Sequence, residues 1–244
     1  MLVASSLEML NKDKGDLWDS GKVASSSPSM VKAPTCKRKS DNSCNLSRGY
    51  ASLSSKGRLV IRYGACYVLS MDRSQIETYL AHLSALLAAR DVVGEIVLFG
   101  GAAMVLAHKA RLSTKDVVAV FAPKDTVYQA AAEVTREFGA AEGWLNDAVK
   151  GFLSDKGETR PLLDLPNLKV YVAVPEYLLA MKCMSMRLGK DETDIRDIRF
   201  LMDRLGLRKA EAVLSVVERY YPQNRIQPKT RFAIEELCQQ LEDI

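Results

Sequence analysis

Apolar positions keep a regular period only from Met71 onward. Ile76, Tyr79, Leu80, Leu83, Leu86 and Leu87 recur at helical spacing, which predicts a helix over 74–90. Ser74 is placed as its N-cap, with Glu77 completing a capping box. Short apolar runs at 95–99 and 117–121 read as strands flanking a brief helix over 102–109. A helix over 125–138, a strand over 169–174 and helices at about 175–188, 191–204, 209–219 and 230–242 follow. Pro123 breaks the chain after the second strand, and Pro161 and Pro166 mark a loop before the third. The order is mixed first and then all helical, which predicts an α+β fold: a small mixed sheet with helices, followed by a helical C-terminal part. The sequence shows no internal repeat.

Composition divides the chain at the same point. Residues 1–70 hold 14 of the 20 serines and 11 Lys/Arg against 5 Asp/Glu, whereas residues 71–244 hold 23 against 25. The first segment cannot bury enough apolar surface to offset its ordering entropy, so disorder is expected. The expected division is a leader over 1–70, an α/β core over 71–175 and a helical subdomain over 176–244. Leu59–Leu69 is apolar enough for a strand, without a clear partner. The abrupt onset of order suggests Met71 as the natural start, with an over-extended reading frame before it. Lys37-Arg38-Lys39 reads as a solvated charge run before it reads as a nucleic-acid tail. With the basic excess confined to the leader, net charge makes no case for a polyanion-binding surface on the rest.

Met1–Leu10 is too weakly apolar for a signal peptide, and no run of about 18 apolar residues suggests a membrane span. Five cysteines, odd in number and without a CxxC pair, predict free thiols in a reducing cytoplasm.

The candidate chemistry begins at Gly100-Gly101, between a predicted strand and a predicted helix. Glycines there let bare backbone and a helix N-terminus approach a phosphate, although a tight strand–helix turn requires them anyway. Arg111, Ser113 and Thr114 place a cation and two hydroxyls just before Asp116, at the mouth of the next strand. An acid in that position suits a magnesium ion that accompanies a phosphate. Lys182 shares a helix face with Leu178, Leu179 and Met186, so its ammonium needs an anion or carboxylate partner, or snorkels into water. Asp191, Asp194 and Asp197 recur every three residues along one helix face. Asp191 also suits a cap, and the early acids suit the helix dipole. His82 and His108 each stand alone on a helix and read as structural.

The arrangement resembles the DNA polymerase beta-like nucleotidyltransferase superfamily. More narrowly it is similar to prokaryotic nucleotidyltransferase toxins of the abortive-infection (AbiEii) type. The resemblance runs from about Met71 to Gly206. It takes in Gly-Gly-Ala-Ala, Arg-x-Ser-Thr-Lys-Asp-Val and Trp144-Leu145-Asn146-Asp147, then Pro175 to Lys182 and Asp194-Ile195-Arg196-Asp197. It implies an enzyme that uses Mg2+ and an NTP, acts on an RNA or protein acceptor, and is paired with an antitoxin. Gly100, Gly101, Arg111, Ser113 and Thr114 are the implied nucleotide-binding residues. Asp116 is the implied metal ligand, and Lys182, Asp194 and Asp197 complete the catalytic set. The family pattern carries a second acid two residues after the first, and this chain has Val118 there. Valine cannot ligate magnesium, which leaves active transfer and an inactive nucleotide- or partner-binding module both open. Trp144 to Asp147 is expected to line the cleft, or to pack a buried tryptophan beside a turn held by Asn146.

Overall fold

The computed structural model describes residues 50–53, 59–62, 70–186 and 192–242. Two of these stretches form a hairpin-like ladder in a unit of its own. Strand β1 (Tyr50–Leu53) pairs antiparallel with β2 (Leu59–Arg62), Tyr50 opposite Arg62 and Leu53 opposite Leu59. The strand expected near Leu59 therefore has a partner that lies just upstream. The remainder of the proposed leader, and Asp191, fall outside the described residues.

The other unit opens with β3 (Met71–Asp72) and α1 (Arg73–Ala88). Its cap sits two residues earlier than expected. Asp72, not Ser74, is the N-cap: its side chain accepts from the Gln75 amide at 2.9 Å, and Gln75 Oε1 accepts from the Asp72 amide at 3.0 Å. Ser74 donates to Asp72 at 2.7 Å, and Glu77 pairs with Arg73 at 2.8 Å. A carboxylate accepts more strongly than a hydroxyl, and the run Asp-Arg-Ser-Gln offered both registers.

Next come β4 (Gly94–Leu98), α2 (Gly100–Leu106), β5 (Ser113–Thr114), β6 (Val117–Ala122) and α3 (Lys124–Phe138). Then follow β7 (Leu145–Asn146), a 3-10 turn (Ala148–Phe152), β8 (Thr159–Leu165) and β9 (Leu168–Ala173). The helical part comprises α4 (Pro175–Ser185), α5 (Glu192–Leu205), α6 (Ala210–Tyr220) and α7 (Pro228–Glu242).

Five strands form one mixed sheet in the order β7-β6-β4-β9-β8. β4 runs antiparallel to β6 and parallel to β9, β7 runs parallel to β6, and β8 closes the far edge antiparallel to β9. The small pair β3–β5 sets Met71 opposite Thr114. β8 replaces the loop expected around Pro161. A proline cannot donate to a ladder, but an edge strand tolerates one, and the register slips between Pro161 and Leu163. α1 and α3 pack together, while α4 packs against both α5 and α6. The central strands are apolar on both sides: Ile96, Val97, Leu98, Val117, Ala119, Val170 and Val172 are all buried. Among the described residues no helix is long and apolar enough to cross a membrane.

Candidate functional site

Two glycines in sequence do different work. Gly100 adopts φ +55°, the left-handed region that L side chains avoid, as β4 gives way to α2. The space a Cβ would take there faces Val118, whose own Cβ lies 3.7 Å off. Gly101 is instead a matter of room: a Cβ on it would sit 2.2 Å from Thr114 Oγ1 and 3.3 Å from an Arg111 guanidinium nitrogen. Thr114 is buried and donates its hydroxyl to the Asp116 carbonyl at 3.1 Å. The diglycine turn is thus packed directly upon the segment that delivers Asp116.

Asp116 ends in a hydrogen bond that the sequence did not suggest. Parallel pairing of β6 with β7 sets Val118 opposite Asn146. The Asn146 amide donates to Asp116 Oδ2 at 2.8 Å. Its other end accepts from the Ala148 amide at 3.2 Å. Trp144, 1% exposed, anchors this short strand, with its indole donating to the Ala131 carbonyl at 3.2 Å. Of the two expectations for the Trp-Leu-Asn-Asp segment, the packed tryptophan beside a turn held by Asn146 is observed, and residues 144–147 line neither of the hollows described below. The neighbouring Asp147 is drawn into a different cluster. Burial opposes its ionisation, yet the Lys150 and Lys124 ammonium groups and the Tyr128 hydroxyl hold it down at about 2.

A second cluster lies between the turn before β5 and the first helices of the C-terminal part. Arg111 forks on Asp197, Nε to Oδ1 at 2.7 Å and Nη2 to Oδ2 at 2.5 Å. Lys182 of α4 meets Asp194 Oδ1 at 2.6 Å and Asp197 Oδ2 at 2.8 Å, both carried on α5. Lys182 and Asp197 are only 8% and 2% exposed. Two cations and two carboxylates in that setting must stay paired, since removing one partner strands a buried charge. Of the alternatives for Lys182, the carboxylate partner is the one observed. Arg111 is committed to the same network.

These groups border two hollows. One, about 240 Å³, is lined by Gly100, Val118, Leu178, Met181, Lys182 and Ser185, with Phe99, Val149 and Phe152 adding apolar wall. The other, about 340 Å³, is lined by Arg111, Leu112, Ser113, Thr193, Arg196 and Asp197. The Lys182–Asp197 ion pair joins a wall of the first to a wall of the second. Gly100, Val118 of β6 and Lys182 therefore line one cleft, whereas Gly101 and Asp116 line neither hollow. Arg111 and Ser113 face the neighbouring hollow.

Among the described residues no three His, Cys, Asp or Glu side chains converge on a point where a metal could sit. A pair of metals bridged by two strand acids does not fit, because Val118 presents methyl groups to Gly100. Asp116 offers one carboxylate, and no hydrogen bond reaches its Oδ1 among the described residues; a magnesium ion there would need its remaining oxygens from bound phosphate and water. The histidines stand apart from the cleft. His82 lies 2.6 Å from Glu137, and His108 packs edge-on to Phe200 with both ring nitrogens buried and unpartnered. Burial, with Arg204 and Arg160 nearby, pushes His108 down to about 4.

No curated protein is significantly similar in sequence. The crystal structure of an antigenic nucleotidyltransferase-like protein from Paracoccidioides brasiliensis is similar at 15% identity and a TM-score of 0.38, over 70% of this chain and 95% of that one. The profile of the family described as nucleotidyltransferase of unknown function (DUF6036) matches residues 75–227, a span that holds every residue of the cleft and of the ion-pair network. The chain belongs to that nucleotidyltransferase family.

Proposed function

We propose that the protein transfers a nucleotidyl group from an NTP to a hydroxyl of an RNA or protein acceptor, with one magnesium ion held at Asp116. The observation that carries this reading is the convergence of Gly100, the Val118 position of β6 and Lys182 on a single cleft. In the reaction an acceptor oxygen bonds to the α-phosphorus, the bond to the bridging oxygen breaks, and pyrophosphate leaves with the electron pair. Bound magnesium supplies charge neutralisation to the phosphates. Gly100 leaves backbone open to a phosphate, and Lys182 offsets charge on the departing group.

A difference in exposure supports different roles for the two downstream acids. Asp197 is 2% exposed and saturated by Arg111 and Lys182, so it serves to position that lysine. The Asp194 side chain is 22% exposed and meets Lys182 through Oδ1. It is the better acceptor for the proton of the attacking hydroxyl. A toxin role, with an antitoxin partner that covers the cleft, follows the resemblance of the motifs to abortive-infection toxins and belongs to the same proposal.

A second reading rests on Val118: the fold keeps the nucleotide and does no chemistry. Labelled NTPs with pooled RNA and protein acceptors test the first. Transfer that disappears in Asp116→Ala supports it. Transfer seen only in Val118→Asp, with magnesium-dependent NTP binding already present in the parent chain, supports the second. No binding and no transfer with any NTP refutes both.

A further inference from the structure

We propose that Phe152 is the platform on which the base of a bound nucleotide stacks, and that the cleft takes all four bases without reading their edges. The inference deepens the nucleotidyl-transfer reading of the same cleft and rests on it for the choice of a nucleotide as ligand. Phe152 is 37% exposed, yet it walls the hollow that Gly100 and Lys182 also line. Single exposed apolar side chains are ordinary on a protein surface. This one is set apart by how its backbone is held. The carbonyls of Gly151, Phe152 and Leu153 accept from Arg225 Nη2 at 3.1 Å, from Tyr221 Oη at 2.5 Å and from Arg225 Nη1 at 3.4 Å. The Ser154 amide donates to Tyr177 Oη at 2.9 Å. Four consecutive residues are thus tied to the helical part. Two of the side chains that tie them, Tyr177 and Tyr221, are buried, and the Arg225 guanidinium lies 5.5 Å from the Tyr221 ring.

An aromatic ring left open on a fixed backbone loses little freedom when a flat ligand covers it. The rest of the hollow offers a base edge nothing to pair with. Among the residues that line it, the polar side chains are Lys182 and Ser185. Asp194 and Asp197 hold the Lys182 ammonium, whose remaining charge the proposed reaction turns to phosphate. Ser185 Oγ donates to the Lys182 carbonyl of its own helix at 3.4 Å. Phe99, Val118, Val149, Leu178 and Met181 add only apolar surface. Stacking on an aromatic ring tolerates any base, because every base has a π-face.

The test measures binding of ATP, GTP, CTP and UTP, each with magnesium, to the full chain by isothermal titration calorimetry. Inorganic tripolyphosphate, which carries the phosphates without a base, is the control. The parent affinities for the four nucleotides are expected to agree within about tenfold. Phe152→Ala is expected to weaken all four by about 5–100-fold and to leave tripolyphosphate unchanged. Phe152→Trp keeps an aromatic face and is expected to bind as the parent does. Its added indole fluorescence, read as the difference from a parent that already holds Trp18 and Trp144, should be quenched by each NTP and not by tripolyphosphate.

Parent-like NTP binding by Phe152→Ala, or an unquenched Phe152→Trp saturated with NTP, overturns the proposal and leaves the nucleotide-binding reading standing. Equal losses for NTP and tripolyphosphate in Phe152→Ala overturn it too, since the ring then only shapes the wall. A preference for one base beyond about tenfold overturns the claim that the edges go unread. A parent that binds none of the four NTPs overturns the proposal and the reading beneath it together.

Discussion

Replacing Gly101 by alanine should be among the most damaging single-methyl additions in this chain, and the reason lies in Thr114. The added Cβ would meet Thr114 Oγ1 at 2.2 Å and Thr114 Cβ at 3.0 Å, far inside contact distance. Threonine cannot swing out of the way cheaply: it is β-branched, buried, and paired in β5 with Met71. Rotating its χ1 breaks the 3.1 Å bond to the Asp116 carbonyl and brings another substituent toward the same spot. Overpacking costs about 1–3 kcal/mol and the lost hydrogen bond about 1 kcal/mol. The sum, roughly 2–4 kcal/mol, corresponds to a fall in Tm of about 5–15 °C for a domain of this size. Urea unfolding followed by circular dichroism measures it. Thr114→Ala removes the atom at 2.2 Å, so the double variant should lose less than the two single losses added together. A Gly101→Ala protein as stable as the parent, or strictly additive losses, would refute the claim that this glycine is required for room. Gly100→Ala provides the contrast. Its nearest contact is 3.7 Å, so the cost is backbone strain alone, about 1–2 kcal/mol, and Thr114→Ala should not relieve it.

The ion-pair network and the lone buried histidine make further predictions. Asp197→Ala strips Arg111 of its forked partner and leaves Asp194 alone to neutralise Lys182, and should cost about 3–5 kcal/mol, read as a large drop in the urea midpoint. Asp194→Asn keeps Asp197 on the lysine and should lose far less stability, while abolishing transfer if Asp194 takes the acceptor proton. The fold should weaken in acid through His108. The native ring is held to about 4, whereas in the unfolded chain it protonates near its ordinary 6.5. The unfolded state therefore binds the extra proton between those values, so stability is complete above about pH 6.5 and falls toward pH 4, by about 2–3 kcal/mol. His108→Phe should flatten that part of the stability–pH profile, and a parent whose midpoint does not change between pH 7 and pH 5 would contradict the account.

What could be read from the sequence depended on how many residues carried each signal. The long helices announced themselves because six or more apolar positions kept one period, as at Ile76 through Leu87. Strands β4, β6 and β9 were legible as apolar runs, because both faces of the central sheet are buried. β8 was not: Thr159–Leu165 mixes half-buried and exposed positions around Pro161, and its identity comes from the partner strand it completes. β3, β5 and β7 have two residues each, too few for any period. That brevity also hid Asn146. In sequence it reads as a turn residue, and only the pairing of β7 with β6 reveals that it faces Asp116. The diglycine turn, Asp116 and Lys182 could be proposed because each has an unusual context of its own. The fork of Arg111 on Asp197 could not, since 86 residues separate the partners and nothing local links them.

Charge shapes how a nucleotide would meet Lys182. Arg111 and Lys182 are matched by Asp194 and Asp197, so the ion-pair network carries no net charge. A bare triphosphate entering the cleft would find the Lys182 ammonium already held by two carboxylates. In the proposed reaction, magnesium carried on the phosphates would reduce the incoming charge. The pairing of Lys182 with Asp194 then acquires a use in the proposed reaction. When Asp194 takes the acceptor proton it becomes neutral and relaxes its hold on the ammonium, at the step when negative charge builds on the leaving pyrophosphate. Lys182 can then turn more of its charge toward that group, so proton acceptance and leaving-group stabilisation are coupled through a single 2.6 Å contact.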